Sequence, residues 1–351
     1  MIENKRIAPG YKLALAGPNF ISLAAIEVTT EAEGDSYSLN RPLLNSLMQE
    51  YLAIYILLLG MVGSDRLVVT KNVGGDYSKL PSVLKRELTR EIPDLHPQQI
   101  PSLPNNFQCW PRDAHTYIGG QFFPRTKAWK GQFGYIRGSW LGEGGRVLTS
   151  GNTALVGDES WYNFYQEEIN SLRERGCKVS YLEPPNDILL PGNRVPGHLD
   201  SDAALIQDQS GKPFVLVSSS YYNQYKEAKE VIDNAAKEIE GEVVVIEDQN
   251  LPHQAFNLIQ FNDLSIAMTG GAKRLENTLR ELLGDDKIHT TRIPIKLIPS
   301  ELGGSIRCLT NLVPQHLLDS RPSVLFPLTV RLLQPRAKNG SEIVHLETNG
   351  F

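Results

Sequence analysis

Cysteine is scarce in this sequence. Three residues in 351, Cys109, Cys177 and Cys308, with no CxxC spacing, argue against both a disulfide framework and a zinc site. The open question is whether one thiol is chemically special. Low-complexity tracts are also missing, and with 41% hydrophobic and 21% charged residues the composition is that of an ordinary globular protein rather than a disordered one. There is no excess of positive charge. Thirty-five Lys+Arg against forty Asp+Glu give a formal charge of −5, which offers no broad cationic field to a nucleic-acid backbone. Long hydrophobic runs are lacking too: the most apolar, Leu52 to Gly63, is about a dozen residues, against roughly twenty for a membrane span. It also lies too far from the start for a signal peptide. The expectation is a cytoplasmic protein with neither a nucleic-acid nor a membrane partner.

What is present is repetition. Apolar positions after Ser160 (Trp161, Phe164, Tyr165, Ile169, Leu172) have helical spacing, Gly176 stands where a capping glycine would, and a strand-like run from Cys177 to Leu182 follows. The same order recurs with Tyr222 to Ile239, Gly241 and the run Glu242 to Glu247, and again with Ala272 to Leu282, Gly284 and a run around Thr290 to Leu297. Each helix is preceded by two short β-like runs joined by a turn, such as Ala203 to Ile206 and Phe214 to Ser219 around Ser210-Gly211-Lys212. These are three β-hairpin, helix, strand units. An incomplete fourth lies early, where Asn40 caps a helix with Pro42 in its first turn, Gly60 ends it and Arg66 to Thr70 supplies the strand. The helix starts are too unevenly spaced for a solenoid. A few diverged units closed around an axis, or an open α/β sheet, would both accommodate them.

Four segments combine glycine or proline with reactive side chains: Trp110-Pro111-Arg112-Asp113, Gly142-Glu143-Gly144-Gly145, Gly197-His198-Leu199-Asp200 and Gly303-Gly304-Ser305-Ile306-Arg307-Cys308. Each precedes a short strand-like run, so units arranged around an axis would bring all four to one end. Taken singly, each has an ordinary explanation: a core thiol, a structural histidine, a surface Arg-Asp pair, a turn glutamate. Taken together, Cys, His and a carboxylate form a nucleophile, base and orienter set. Two carboxylates, Asp113 and Asp200, are then left over. They suit a cationic substrate, and a guanidinium presents planar donors that match carboxylates in pairs.

The collinear order Pro-Arg-Asp, acid-Gly-Gly, Gly-His-Leu-Asp and Gly-Gly-x-x-x-Cys, running from about Pro101 to Pro314, resembles the guanidino-group modifying superfamily. That family comprises arginine, agmatine and peptidyl-arginine deiminases, dimethylarginine hydrolases and amidinotransferases. The resemblance implies an α/β-propeller (pentein) fold of about five ββαβ units around a pseudo-fivefold axis, as a single catalytic domain over residues 1–319 with a C-terminal extension, 320–351, of no assigned role. It implies Cys308 as nucleophile, His198 as general acid/base, Glu143 as the carboxylate orienting it, and Asp113 and Asp200 as the guanidinium clamp, with no metal or organic cofactor. Two positions depart from the family pattern: Arg146 replaces an acid after the paired glycines, and Arg307 replaces a histidine before the nucleophile. Arg307 could favour the thiolate, pair with a substrate carboxylate or face solvent. Asn106 could bind substrate or serve a turn. The implied activity is hydrolysis of arginine or an arginine derivative, a small cationic guanidino compound, through a thiouronium intermediate to a ureido product. Amidino transfer to an amine and a non-catalytic binding protein on the same fold are the alternatives, and a homo-oligomer is compatible with all three.

Overall fold

A computed structural model of the chain describes residues 6–31, 34–69, 82, 111–118, 121–124, 144–164, 166–185, 198–224, 226–247 and 249–315. The chain opens with β1 (Tyr11–Leu15), a hairpin of β2 (Ile26–Glu31) and β3 (Gly34–Leu39), the helix Arg41–Val62 and β4 (Leu67–Val69). A second hairpin pairs β5 (His115–Ile118) with β6 (Gln121–Pro124).

The three repeats read from the sequence follow. The first holds β7 (Val147–Ser150), β8 (Thr153–Val156), helices Glu159–Phe164 and Gln166–Glu174, and β9 (Lys178–Tyr181). The second holds β10 (Ala203–Gln207), β11 (Pro213–Ser218), helix Ala228–Glu238 and β12 (Glu242–Ile246). The third holds β13 (Ile259–Gln260), β14 (Ile266–Met268), helix Lys273–Leu283 and β15 (Ile288–Thr290). In each, the first two strands pair antiparallel and the third returns parallel to the second, as a crossover helix requires. The fold is α/β with mixed sheets.

The incomplete early unit finds its missing strand at the other end of the chain. β16 (Thr310–Pro314) pairs antiparallel with β1, from Tyr11 opposite Pro314 to Leu15 opposite Thr310, while β4 pairs parallel with β1. Two hundred and ninety-five residues separate Leu15 from Thr310, and the pairing sets the run after Cys308 as a strand.

Local chemistry explains most element ends. Asn40 Oδ1 accepts the Leu43 N–H at 3.0 Å, an N-cap. The helix it starts runs past Gly60, which lies on an exposed face, and stops at Gly63, where φ is +82°. Gly176 and Gly284 take φ of +81° and +99° after their helices, the left-handed turn that glycine adopts without strain. Gly241 does not: Glu240 takes φ of +55° instead, and a Cβ on Gly241 would lie 2.9 Å from the Pro213 carbonyl oxygen. The strand expected around Thr290 to Leu297 is shorter and earlier, and Leu297–Leu302 is a helix. Its first N–H groups are claimed by a buried carboxylate. Glu50 Oε1 accepts from Lys296 and Leu297 and Oε2 from Ile298, each at 2.9 Å.

The helix Arg41–Val62 is long and apolar enough, by length and composition, to cross a membrane. Here Leu44, Leu47, Tyr51, Ile54 and Leu58 are buried in one core cluster with Leu13, Leu15, Ile298, Ile306 and Leu309. Burying each such side chain is worth about 1.5–3 kcal/mol. The cluster therefore anchors the segment that carries Cys308. First strands of successive units also touch: β5 meets β7, and β7 meets β10. Gln260 of β13 accepts from Ser150 of β7 at 2.9 Å and donates to the Gln207 carbonyl of β10 at 2.7 Å. Residues 320–351 lie outside the described residues.

Candidate active site

Three short 3-10 turns enter the first strands: Pro111–Ala114 before β5, Gly144–Arg146 before β7 and Leu199–Ser201 before β10. Gly144–Arg146 packs on both of the others, and Pro111–Ala114 packs on β16. The Arg112 N–H donates to the Cys308 carbonyl at 3.4 Å, and the Asn311 carboxamide donates to the Pro111 carbonyl at 2.9 Å. Paired glycines make such closeness feasible. A Cβ on Gly144 would stand 2.7 Å from the Arg112 carbonyl oxygen, and one on Gly145 would overlap the His198 ring. The Gly-Gly pair is thus a steric requirement.

Cys308 sits on a turn between a capped helix and a closing strand. Gly303, at φ +77°, ends the helix Leu297–Leu302. The turn then places Ile306 and Leu309, both fully buried, into the core. Thr310 N–H and Leu309 N–H donate back to Arg307 and Ser305 carbonyls. With its two neighbours in the core, Cys308 faces Asp200: Sγ lies 3.3 Å from Asp200 Oδ2. Leu199, fully buried between His198 and Asp200, anchors the turn that presents both. His198 Nδ1 stands 3.8 Å from the other Asp200 oxygen, Oδ1, a charge contact too long for a hydrogen bond.

Arg307 does not face solvent. Its Nη1 donates to Asp200 Oδ2 and to the Gly144 carbonyl, each at 2.7 Å, and its Nη2 donates to the Val147 carbonyl. The Arg307 side chain is 7% exposed and that of Asp200 2%, so this is a buried ion pair made tolerable by the added backbone acceptors. The guanidinium works as a fork that ties the Gly144–Arg146 turn to Asp200. Arg307 also lines a cavity of about 590 Å³ with Arg6, Arg112, Gln207, Gln260 and Asn311.

One participant has no counterpart among the sequence candidates. Asn257, 2% exposed, donates from Nδ2 to Asp200 Oδ2 at 2.9 Å and to Cys308 Sγ at 3.0 Å. A signal for it exists in the chain. Asn257 precedes β13 by two residues, as Cys308 precedes β16, so the convergence that assembles the other candidates extends to it.

The structure therefore brings Cys308, His198, Asp200 and Arg307 together. Asp113 lies on the turn Pro111–Ala114, with its side chain outside the described residues, and Glu143 and Asn106 lie outside them entirely. Arg146 pairs with Asp158 at 3.2 Å. Cys177 is buried beside β9, its thiol pushed up by burial, and Cys109 is outside the described residues. Among the described residues no group of three or more His, Cys, Asp or Glu side chains is placed to hold a metal ion.

No family model matches the chain, and no curated protein matches its sequence. Solved structures do match. The chain is similar to DDAH from Pseudomonas aeruginosa complexed with citrulline, at 12% identity over 86% of this chain and 99% of that one, with a TM-score of 0.45. It is similar to agmatine deiminase of Enterococcus faecalis, at 14% identity over 88% and 94%, with a TM-score of 0.47. A third match is SxtG, an amidinotransferase from Microseira wollei in the saxitoxin biosynthetic pathway, at 12% identity over 88% and 95%, with a TM-score of 0.41.

Proposed function

We propose that the protein is a cysteine-dependent hydrolase of a guanidino compound, arginine or an arginine derivative, built as a closed ring of five ββαβ units with its site at one end of the axis. The observation that carries this reading is the placement of Cys308 Sγ and His198 Nδ1 on opposite oxygens of one buried carboxylate, Asp200. A thiol, an imidazole and an acid around a single point are what thiolate attack on a cation needs.

In the proposed reaction the Cys308 thiolate adds to the guanidinium carbon and a C–S bond forms. His198 gives a proton to the departing nitrogen as the C–N bond breaks, leaving an S-alkyl thiouronium. Water then adds to that carbon and passes a proton to His198. The C–S bond breaks, the thiolate returns, and a ureido product leaves. Asp200 Oδ2 is already shared by Arg307, Asn257 and Cys308, which leaves Oδ1 to face the substrate cation. Asp113 is the second arm of the clamp, and Glu143 orients His198. Arg307 positions Asp200, since its donors are directed to protein acceptors.

The test is a panel of guanidino compounds assayed for ammonia or amine release and for ureido product. Cys308→Ser is expected to abolish turnover and Asp113→Ala to weaken binding of the cation. A Cys308→Ser protein that turned over at the wild-type rate would overturn the assignment. Adding glycine or another amine to an arginine reaction distinguishes hydrolysis from amidino transfer, which would yield a new guanidino product.

A further inference from the structure

The Asn257 carboxamide spends its whole hydrogen-bonding capacity at the nucleophile. Oδ1 accepts the N–H of Arg307 at 2.8 Å and the N–H of Cys308 at 3.1 Å. Nδ2 donates to Asp200 Oδ2 at 2.9 Å and to Cys308 Sγ at 3.0 Å. A carboxamide has two acceptor lone pairs and two donor hydrogens, and all four are engaged. The same count fixes which way the group points. Turned over, its NH2 would meet two backbone N–H donors, so the atom facing sulfur is the donor.

That orientation has a chemical consequence. Two polar neighbours of Cys308 Sγ have opposite preferences. Asp200 Oδ2 at 3.3 Å accepts a proton-bearing thiol and repels a thiolate, whereas an N–H donor at 3.0 Å strengthens its bond as sulfur gains negative charge. Asn257 also donates to that same carboxylate oxygen, drawing off part of the charge that opposes the thiolate. Its loop is itself held in place. Gln254, at φ +55°, donates to the Gly303 carbonyl at 2.7 Å, so the segment 254–257 grips the nucleophile turn at both ends.

We infer that Asn257 is a further catalytic residue of this site, donating a hydrogen bond to Cys308 sulfur as it becomes anionic while its carbonyl oxygen holds the Arg307 and Cys308 amides. The inference rests on Cys308 being the nucleophile, to whose sulfur Asn257 is a neutral donor.

The experiment reads the thiol without any substrate. Cys308 alkylation by iodoacetamide is followed from pH 5 to 10 by peptide mass spectrometry in the wild type, in Asn257→Ala and in Asn257→Asp, with the Cys177 peptide as an internal monitor of folding. The aspartate variant matches asparagine in size and keeps an acceptor for both amides, so it carries the test if the alanine variant fails to fold. Both variants are expected to move the profile to higher pH and to slow alkylation at pH 7 about tenfold or more, the effect of one displaced unit. Cys177 should stay protected. A merely structural asparagine would leave the pH profile of a folded variant where it was, and superimposed profiles would overturn the inference. If the wild-type Cys308 were itself unreactive throughout the range, the nucleophile reading would fall first.

Discussion

The His198 ring lies so close to the backbone of Gly145 that a methyl group at residue 145 would occupy the position of its imidazole. The φ of Gly145 is not among the positive values, so alanine is compatible with the backbone there, and the nearest atoms its methyl group would meet are those of the ring. Gly145→Ala is therefore expected to displace His198 while leaving the fold intact. A misplacement of about 1 Å costs roughly a hundredfold in rate. Turnover should fall by that order with little change in melting temperature. A fully active Gly145→Ala protein would show that His198 needs no fixed place.

Arg307 and Asp200 form a buried pair that is costly to separate. Removing one partner of a buried ion pair costs about 3–5 kcal/mol, because the other charge is left without compensation. Arg307→Met should lower the unfolding free energy in urea by about that much. Arg307→Lys keeps the charge but cannot reach Asp200, Gly144 and Val147 as a fork, and should fall between the two. Equal stability for all three proteins would argue that Asp200 holds its own position.

Glu50 and the helix Leu297–Leu302 offer a test far from the chemistry. The carboxylate serves the N–H groups of residues 296–298 from a buried position. Glu50→Ala leaves these donors without acceptors, that of Ile298 in a buried position, at about 1–3 kcal/mol each at most. The variant should melt lower and, because this helix leads into Gly303 and the turn that carries Cys308, lose activity before it loses fold. Glu50→Gln, with one acceptor oxygen, should lose less of both.

Acid should loosen the contact between Arg6 and the third repeat. Burial first, and then the Arg6 guanidinium, hold His289 below the ordinary imidazole range. Arg6 Nη2 lies 3.4 Å from His289 Nε2, and as a guanidinium only donates, the ring nitrogen facing it is an acceptor. In the unfolded chain His289 takes up a proton near pH 6.5; in the folded protein it resists. The associated stability is therefore complete above that pH and declines as pH falls below it. Asp263 acts in the same direction at lower pH. Burial works to raise it, but hydrogen bonds from the Ser265 hydroxyl and backbone N–H, together with Arg6, hold it below the ordinary carboxylate range, so its contribution fades as pH drops through about 3.9. His289→Gln should flatten the fall in urea midpoint between pH 7 and 5, and an unchanged slope would dismiss His289 as its source.

Repeat grammar was the most legible part of the fold. Turn glycines such as Gly176 and Gly284 report a local backbone need, and alternating or helical apolar spacing reports a buried face, so those units could be read residue by residue. β1 and the helix Leu297–Leu302 could not. β1 exists through its pairing with β16 and β4, and the helix depends on a carboxylate some 250 residues away in sequence, a distance that no local pattern encodes. At the site, His198, Asp200, Arg307 and Cys308 were visible because glycine and charge mark their segments. Asn257 lies among apolar residues with no such mark; its place two residues before a short strand is its one signal in the chain, and its four hydrogen bonds then show what it does. The destination of Arg307 was likewise hidden, because two of its acceptors are carbonyls of Gly144 and Val147, more than 150 residues earlier.

The antiparallel partner of β1 sets a timetable for synthesis. A ribosome delivers the imidazole and its acids well before residues 310–314, and until those five arrive the opening strand keeps one edge unzipped. The sulfur, two positions ahead of the closing segment, is among the final groups to be seated. Reactivity should therefore emerge abruptly once residues 310–314 pair with the opening strand, so that a stalled or truncated nascent polypeptide ending before residue 310 stays chemically silent however well its central repeats have formed.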